Sequence, residues 1–176
     1  MVSGPSINMN KDLMPLVLAR IDDRLIHGQV VVGWGNFLRP DRIILCNNAV
    51  AQEDWQRDMF KSAGDLVAFD LTISIFTMEE TLTFFKEDDF AAEKIILLVE
   101  SPADLWYLHD ADAPIEQVNV GGMHYKAGKR QIAPYIFVDD EDVTFFKRLI
   151  EKNIKVYGQD VPTAKKLDIS ELLYVI

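Results

Sequence analysis

Short apolar runs alternate with amphipathic stretches along the chain, and no other feature constrains the fold as tightly. Pro15–Arg20, Arg42–Cys46, Leu71–Phe76, Lys94–Val99, Gln117–Val120, Tyr135–Val138 and Lys155–Tyr157 read as strands. They are rich in Val, Ile, Leu or aromatic residues, as buried strands are. Between them apolar residues recur at helical spacing. Val30, Trp34, Phe37 and Leu38 form one such face, and Ala51, Trp55, Met59 and Ala63 form another, with Glu53 and Arg57 spaced to pair on its wet side. Leu82 and Phe85 belong to a short helix after Thr77. Ser101 and Pro102 suit an N-cap and first turn, with Asp104 at the positive end of the helix dipole. Val143, Phe146, Leu149 and Ile150 mark a later helix from near Asp139 to near Asn153. Strand–helix alternation predicts an α/β fold: a single three-layer domain with a mostly parallel central sheet of about seven strands. Tyr135–Val138 follows its predecessor through a loop without a helix, which makes it the candidate for one antiparallel strand. In such a fold, function belongs to the loops beyond the carboxyl ends of the strands.

Composition narrows the class further. The 176 residues are 49% hydrophobic and 26% charged, which excludes a disordered chain. Lys and Arg number 18 against 28 Asp and Glu, a formal net charge of −10. That balance argues against a general nucleic-acid binder, whose surface must neutralise phosphates. Cys46 is the only cysteine and cannot form an internal disulfide, which fits a reducing compartment. No apolar run approaches the roughly 18–20 residues of a membrane helix, so no direct membrane insertion is expected. Residues 1–13 are polar and read as a disordered leader or tag remnant, ahead of a folded unit over residues 14–176. His27, His109 and His124 lack close ligand spacing and no Cys-x-x-Cys occurs, so no metal is expected. Glycine-rich nucleotide motifs do not occur either, and no cofactor is expected.

The segment Arg20-Ile21-Asp22-Asp23-Arg24-Leu25-Ile26-His27-Gly28-Gln29-Val30 concentrates the chemistry. Its helix pattern starts near Gly28, so His27 stands at a strand-to-helix junction beside unpaired backbone N–H groups. A neutral imidazole is a nucleophile. Arg24, three residues earlier, offers a planar positive fork for phosphate oxygens. Asp22 or Asp23 could orient Arg24 or fix the imidazole tautomer. These are the parts of a phosphohistidine site: nucleophile His27, clamp Arg24, orienting Asp22, and a phosphate cradle of Arg24, Gly28 and Gln29. Equally, a histidine at a helix start can be a surface or capping residue, and Asp-Asp-Arg a solvated turn.

That segment, with Trp34 behind it, resembles the active-site segment of the enzyme IIB components of the mannose/sorbose class of the bacterial phosphoenolpyruvate-dependent sugar phosphotransferase system. Asn119-Val120-Gly121-Gly122-Met123, Gly128-Lys129-Arg130-Gln131-Ile132 and Gln159-Asp160-Val161-Pro162 resemble further family segments in the same order. The resemblance implies a cytoplasmic phosphocarrier that meets the membrane through its permease. It would take a phosphoryl group from a IIA phosphohistidine onto His27, through Nδ1 in the family, and pass it to a sugar moving through a IIC/IID permease. The same chemistry would serve a stand-alone regulatory phosphocarrier or interaction module that transports no sugar. Asn47-Asn48 departs from the acidic residues many members carry after the second strand, and Lys61–Asp65 lacks a proline common there.

Asn48, Gly121, Gly122 and His124 are candidates for the rim of the site. Gly121 and Gly122 fit positive φ, close approach to the active loop, or a plain turn. His124 fits a phosphate or partner contact, or a solvated loop. Lys126, Lys129 and Arg130 fit an acidic partner, the phosphate or solvent. His109 fits the negative end of its helix, Cys46 a small buried hydrophobe, and the Trp residues and Phe pairs fit packing.

Overall fold

The computed structural model describes residues 15–87 and 92–174, so the expected leader over residues 1–13 lies outside the described residues. The strands are β1 (Leu16–Asp22), β2 (Arg42–Cys46), β3 (Thr72–Phe76), β4 (Ile95–Val99), β5 (Gln117–Gly122), β6 (Arg130–Ala133), β7 (Ile136–Val138), β8 (Lys155–Gly158) and β9 (Leu167–Asp168). The helices are α1 (Gly35–Leu38), α2 (Asn48–Ala51), α3 (Asp54–Lys61), α4 (Met78–Lys86), α5 (Pro102–Asp110), α6 (Asp140–Glu151) and α7 (Ile169–Leu173). A π-helical stretch, Gln29–Trp34, runs directly into α1.

The main sheet has seven strands in the order β3-β2-β4-β1-β5-β8-β9. All its pairings are parallel except β8 with β9. β4 lies inside the sheet, and all five of its residues are buried. Ile95, Leu97 and Val99 enter one core with Leu105, Leu108, Phe146 and Leu149 from α5 and α6. Ile96 and Leu98 enter the other core, with Val30, Val31 and Trp34 from the π-helical stretch. Both faces of the sheet are covered, which is why the strand reads as a continuous apolar run. The expected three-layer α/β architecture is the one observed.

Two details differ from the sequence expectation. Tyr135–Val138 contributes β7, which is antiparallel as anticipated, but its partner is β6 in a separate two-stranded ribbon. The antiparallel strand of the main sheet is the two-residue β9. The helix expected through Ala51, Trp55, Met59 and Ala63 is broken into α2, α3 and a 3-10 turn over Ser62–Leu66. Asn47 caps α2 by accepting from the N–H groups of Ala49 and Val50, and Glu53 is extended between the two helices. Trp55 and Met59 then face solvent rather than the core, and Arg57 lies nearest Asp54 at 3.9 Å. The cap expected at Ser101 is in place, and Asp139, near which the later helix was expected to begin, caps α6; each sits within a reciprocal capping box.

Cys46 ends β2 in the core, and burial pushes its thiol up to about 11. A raised thiol pKa stabilises the fold fully at neutral pH and loses that contribution as pH climbs towards the folded value. At pH 8 the native chain should therefore react with iodoacetamide about 100-fold more slowly than the urea-unfolded chain. Equal rates in the two states would contradict this burial.

Candidate functional site

β1 and β5 are neighbours whose chains leave in opposite directions. β1 continues leftward to β2 over one face of the sheet, and β5 continues rightward to β8 over the other. Such a divergence opens a crevice at the carboxyl ends of the two strands. A register shift between Leu16 and Leu18 sets the alternation of β1, so that Arg20 and Asp22 point to the same face as Leu18. Both are fully buried at the crevice floor.

Arg20 is held from three strand ends. Its Nη1 donates to Asn119 Oδ1 at 2.6 Å and to the Gln159 carbonyl at 3.0 Å. Its Nη2 donates to Asp22 Oδ2 at 2.8 Å and to the Asp160 carbonyl at 3.1 Å. The Trp34 ring covers its guanidinium at 5.4 Å and donates from Nε1 to the same Asp160 carbonyl. Burial lowers the pKa of Arg20, with Asp22 opposing that shift.

Asp22 is the hub. Arg24 grips it with Nε on Oδ1 and Nη2 on Oδ2, both at 2.9 Å. His27 Nε2 lies 3.0 Å from Oδ2. Burial works against the charged carboxylate, yet hydrogen bonds from His27 and Arg24 and the charge of Arg20 hold it well below the usual carboxylate range. The depressed pKa stabilises the fold at neutral pH, a contribution lost as pH falls below the ordinary carboxylate range. Leu25 adopts φ 60°, and this left-handed residue turns the loop so that Arg24 and His27 both reach back to one aspartate.

The tautomer of His27 follows from its partners. A carboxylate only accepts, so Nε2 carries the proton and donates to Asp22. Nδ1 therefore bears the lone pair, and the Gln29 N–H approaches it at 3.3 Å. The imidazole side chain is 19% exposed and that of Arg24 34%, so both reach solvent while Asp22 does not. Arg24 Nη1 donates once to Gln29 Oε1, and further hydrogens on Nη1 and Nη2 remain for an incoming anion.

Residues 16–175 match the family profile described as PTS system sorbose subfamily IIB component. The chain belongs to this IIB family. It is 33% identical to the N-acetylgalactosamine-specific phosphotransferase enzyme IIB component 2 of Escherichia coli (strain K12), over 90% of this chain and 98% of that protein. It is 32% identical to the mannose-specific EIIAB component of the same strain, over 92% of this chain and 49% of that longer protein. The crystal structure of the IIB domain of the sorbose permease from Klebsiella pneumoniae superposes with a TM-score of 0.85 at 26% identity, covering 92% and 98% of the two chains. The family consists of sugar-specific phosphotransferase components, and its fold is the three-layer sheet described above.

In this IIB chain the sequence-derived site residues fall into two groups. Asp22, Arg24, His27 and Gln29 form one connected set, and Gly28 begins the helical turn beside them. Of the two aspartates weighed for orienting, Asp22 holds both Arg24 and His27. Asp23 instead accepts from the His124 N–H and ring. Gly121 and Gly122 lie in β5 with no left-handed backbone, and their role is close approach. A Cβ on Gly121 would overlap the Arg20 guanidinium. One on Gly122 would stand 3.2–3.3 Å from Arg24 Nη2, Asp22 Oδ1 and His124 Cε1.

Asn48 is placed elsewhere. It accepts from the Met78 N–H and lines a cleft of about 200 Å³ with Asn47 and Glu100, outside the hydrogen bonds around Asp22. The basic loop is internally paired: Lys129 with Asp142, Arg130 with Asp140, and Lys126 within 3.9 Å of Glu100. His109 packs 6.3 Å from Trp106, away from the site. Sequence reading gave no role to Arg20, Asn119 or the Gln159 and Asp160 carbonyls. A charged residue two before Asp22 inside an apolar strand was the available signal. Among the described residues, no cluster of His, Cys, Asp and Glu could hold a metal, and no helix is long and apolar enough to cross a membrane.

Proposed function

We propose that this chain is a phosphocarrier that accepts a phosphoryl group on Nδ1 of His27 from a IIA phosphohistidine. It then passes the group to a sugar during uptake through a IIC/IID permease. The observation that carries the reading is the Nε2–Asp22 hydrogen bond, which leaves Nδ1 as the nucleophilic nitrogen. Arg24 holds the phosphoryl oxygens through its remaining hydrogens, and the Gln29 N–H and Gly28 turn complete the cradle. Phosphoryl transfer demands positioning and charge stabilisation, and these residues supply both. The mannose-specific relative, named as an EIIAB component, supports a IIA partner for this chain. A cytoplasmic location beside a membrane permease follows from the same role.

The test is incubation with labelled phosphoenolpyruvate, the general phosphotransferase proteins and a IIA component. Acid-labile label should appear on the His27 peptide, with a phosphorus resonance of the Nδ1 isomer. Label on another residue, or none, would refute the assignment.

Arg24→Ala should slow transfer on the order of 10²-fold, the scale for losing one charge-stabilising donor. It should leave the thermal midpoint within a few degrees, because Arg24 is partly exposed and Asp22 retains Arg20. Arg24→Lys should remain impaired, since an ammonium cannot grip a carboxylate and a phosphoryl group in one plane. A wild-type transfer rate in either variant removes Arg24 from the mechanism.

A further inference from the structure

Two consecutive aspartates at the end of β1 each hold a histidine. Asp22 holds His27, and Asp23 holds His124 just beyond the end of β5. Asp23 commits both oxygens to His124: Oδ2 accepts from the backbone N–H at 2.7 Å and Oδ1 faces ring Nδ1 at 2.6 Å. The Asp23 N–H donates to the Gly122 carbonyl at 3.0 Å, tying the two strand ends together. The proton of His124 therefore sits on Nδ1, and Nε2 is an acceptor with no hydrogen-bond partner among the described residues. Gly122 leaves room for the ring to stand beside Arg24, because a side chain there would meet both groups. The ring is half exposed, so it exchanges protons with solvent.

The proton balance of the two half-reactions is unequal. In loading, His27 Nδ1 attacks with a lone pair it already has. The new Nδ1–P bond forms as the donor's N–P bond breaks, and no proton has to leave the acceptor. In discharge, a sugar hydroxyl oxygen forms the O–P bond and the Nδ1–P electron pair returns to Nδ1. Nδ1 regains its lone pair only as the N–P bond breaks, and in an in-line displacement it lies across phosphorus from the attacking oxygen. Nε2 still carries the proton donated to Asp22, so His27 cannot take the hydroxyl proton during the transfer. Asp22 cannot take that proton while its oxygens accept from Arg20, Arg24 and His27.

We propose that His124 Nε2 is the general base for discharge, receiving the hydroxyl proton beside the Arg24-held phosphoryl group. The resulting imidazolium is balanced by Asp23, and the proton then passes to solvent. The inference rests on the phosphocarrier reading of His27 and adds a catalytic residue specific to an alcohol acceptor.

The experiment separates the two half-reactions. Wild-type protein and His124→Gln are loaded with labelled phosphate, and single-turnover discharge is followed in vesicles carrying the cognate permease. N-acetylgalactosamine, fructose, mannose and sorbose are supplied in turn. His124→Gln should lose about 100-fold in the discharge rate at saturating sugar, the scale of general-base catalysis. The concentration of phosphoprotein giving half-maximal discharge should hold, which a docking defect would not allow. The loss should fall on discharge and not on loading by IIA. Discharge at the wild-type rate, an equal loss in both half-reactions, or loaded wild-type protein that discharges onto none of these sugars would overturn the inference. Failure of wild-type His27 to load would instead overturn the phosphocarrier reading itself.

Discussion

Replacing His27 by alanine is expected to abolish phosphoryl acceptance while leaving the fold intact. No other imidazole occupies its place: the His124 ring is tied to Asp23 instead of Asp22, and His109 packs near Trp106. The loss should therefore be complete rather than graded, since the variant lacks the atom that forms the bond. Asp22 keeps Arg20 and both hydrogen bonds from Arg24, so its buried charge stays paired. The stability cost should be about that of one charge-assisted hydrogen bond, roughly 1.5–3 kcal/mol. Label incorporation and a urea melt on the same preparation check both halves. Residual acid-labile label at the wild-type level would move the chemistry to another residue.

Gly121→Ala should produce the largest loss of stability, although it adds one methyl group. The new Cβ would occupy the space of the Arg20 guanidinium, which is fully buried and fixed by four hydrogen bonds. Either the β1–β5 pairing opens or Arg20 leaves its partners, and both outcomes strand buried polar groups. Breaking a buried ion pair costs about 3–5 kcal/mol. For a domain of this size that is a drop in thermal midpoint of roughly 10 °C. Gly33→Ala is the control, because nothing lies within 4 Å of a Cβ there. Its midpoint should stay near the wild-type value. A Gly121→Ala midpoint within a degree or two of wild type would show that Arg20 is not locked as described.

Periodicity revealed most of the sheet because β1, β2, β4, β5 and β8 are buried on both faces and read as apolar runs. It could not reveal β9, whose Leu167–Asp168 is too short to alternate and owes its place to pairing with Tyr157 and Gly158. Nor could it show that Asn47 and Glu53 interrupt the helical pattern around Trp55, since capping depends on where the side chain turns. The site divides the same way. Asp22, Arg24 and His27 are within five residues, and local chemistry singled them out. Arg20 meets Asn119 and the Gln159 carbonyl across 99 and 139 residues, contacts that exist only once β1, β5 and β8 lie side by side.

The sharing of one carboxylate between two arginines bears on how tightly a transient passenger can be held. Arg20 and Arg24 both pair with the Asp22 carboxylate, so their positive field is already partly neutralised before any anion arrives. On the proposed reading, Arg24 would meet a phosphoryl group only with its outer edge. A pair of unopposed arginines would trap a dianion in a deep well and make each release slow. A relay works fastest when its intermediate is bound neither so weakly that water intervenes nor so strongly that the next acceptor cannot draw it away. If the chain is the relay proposed, Asp22 makes the well shallow, and neutralising it by Asp22→Asn would turn a station on the route towards a terminus.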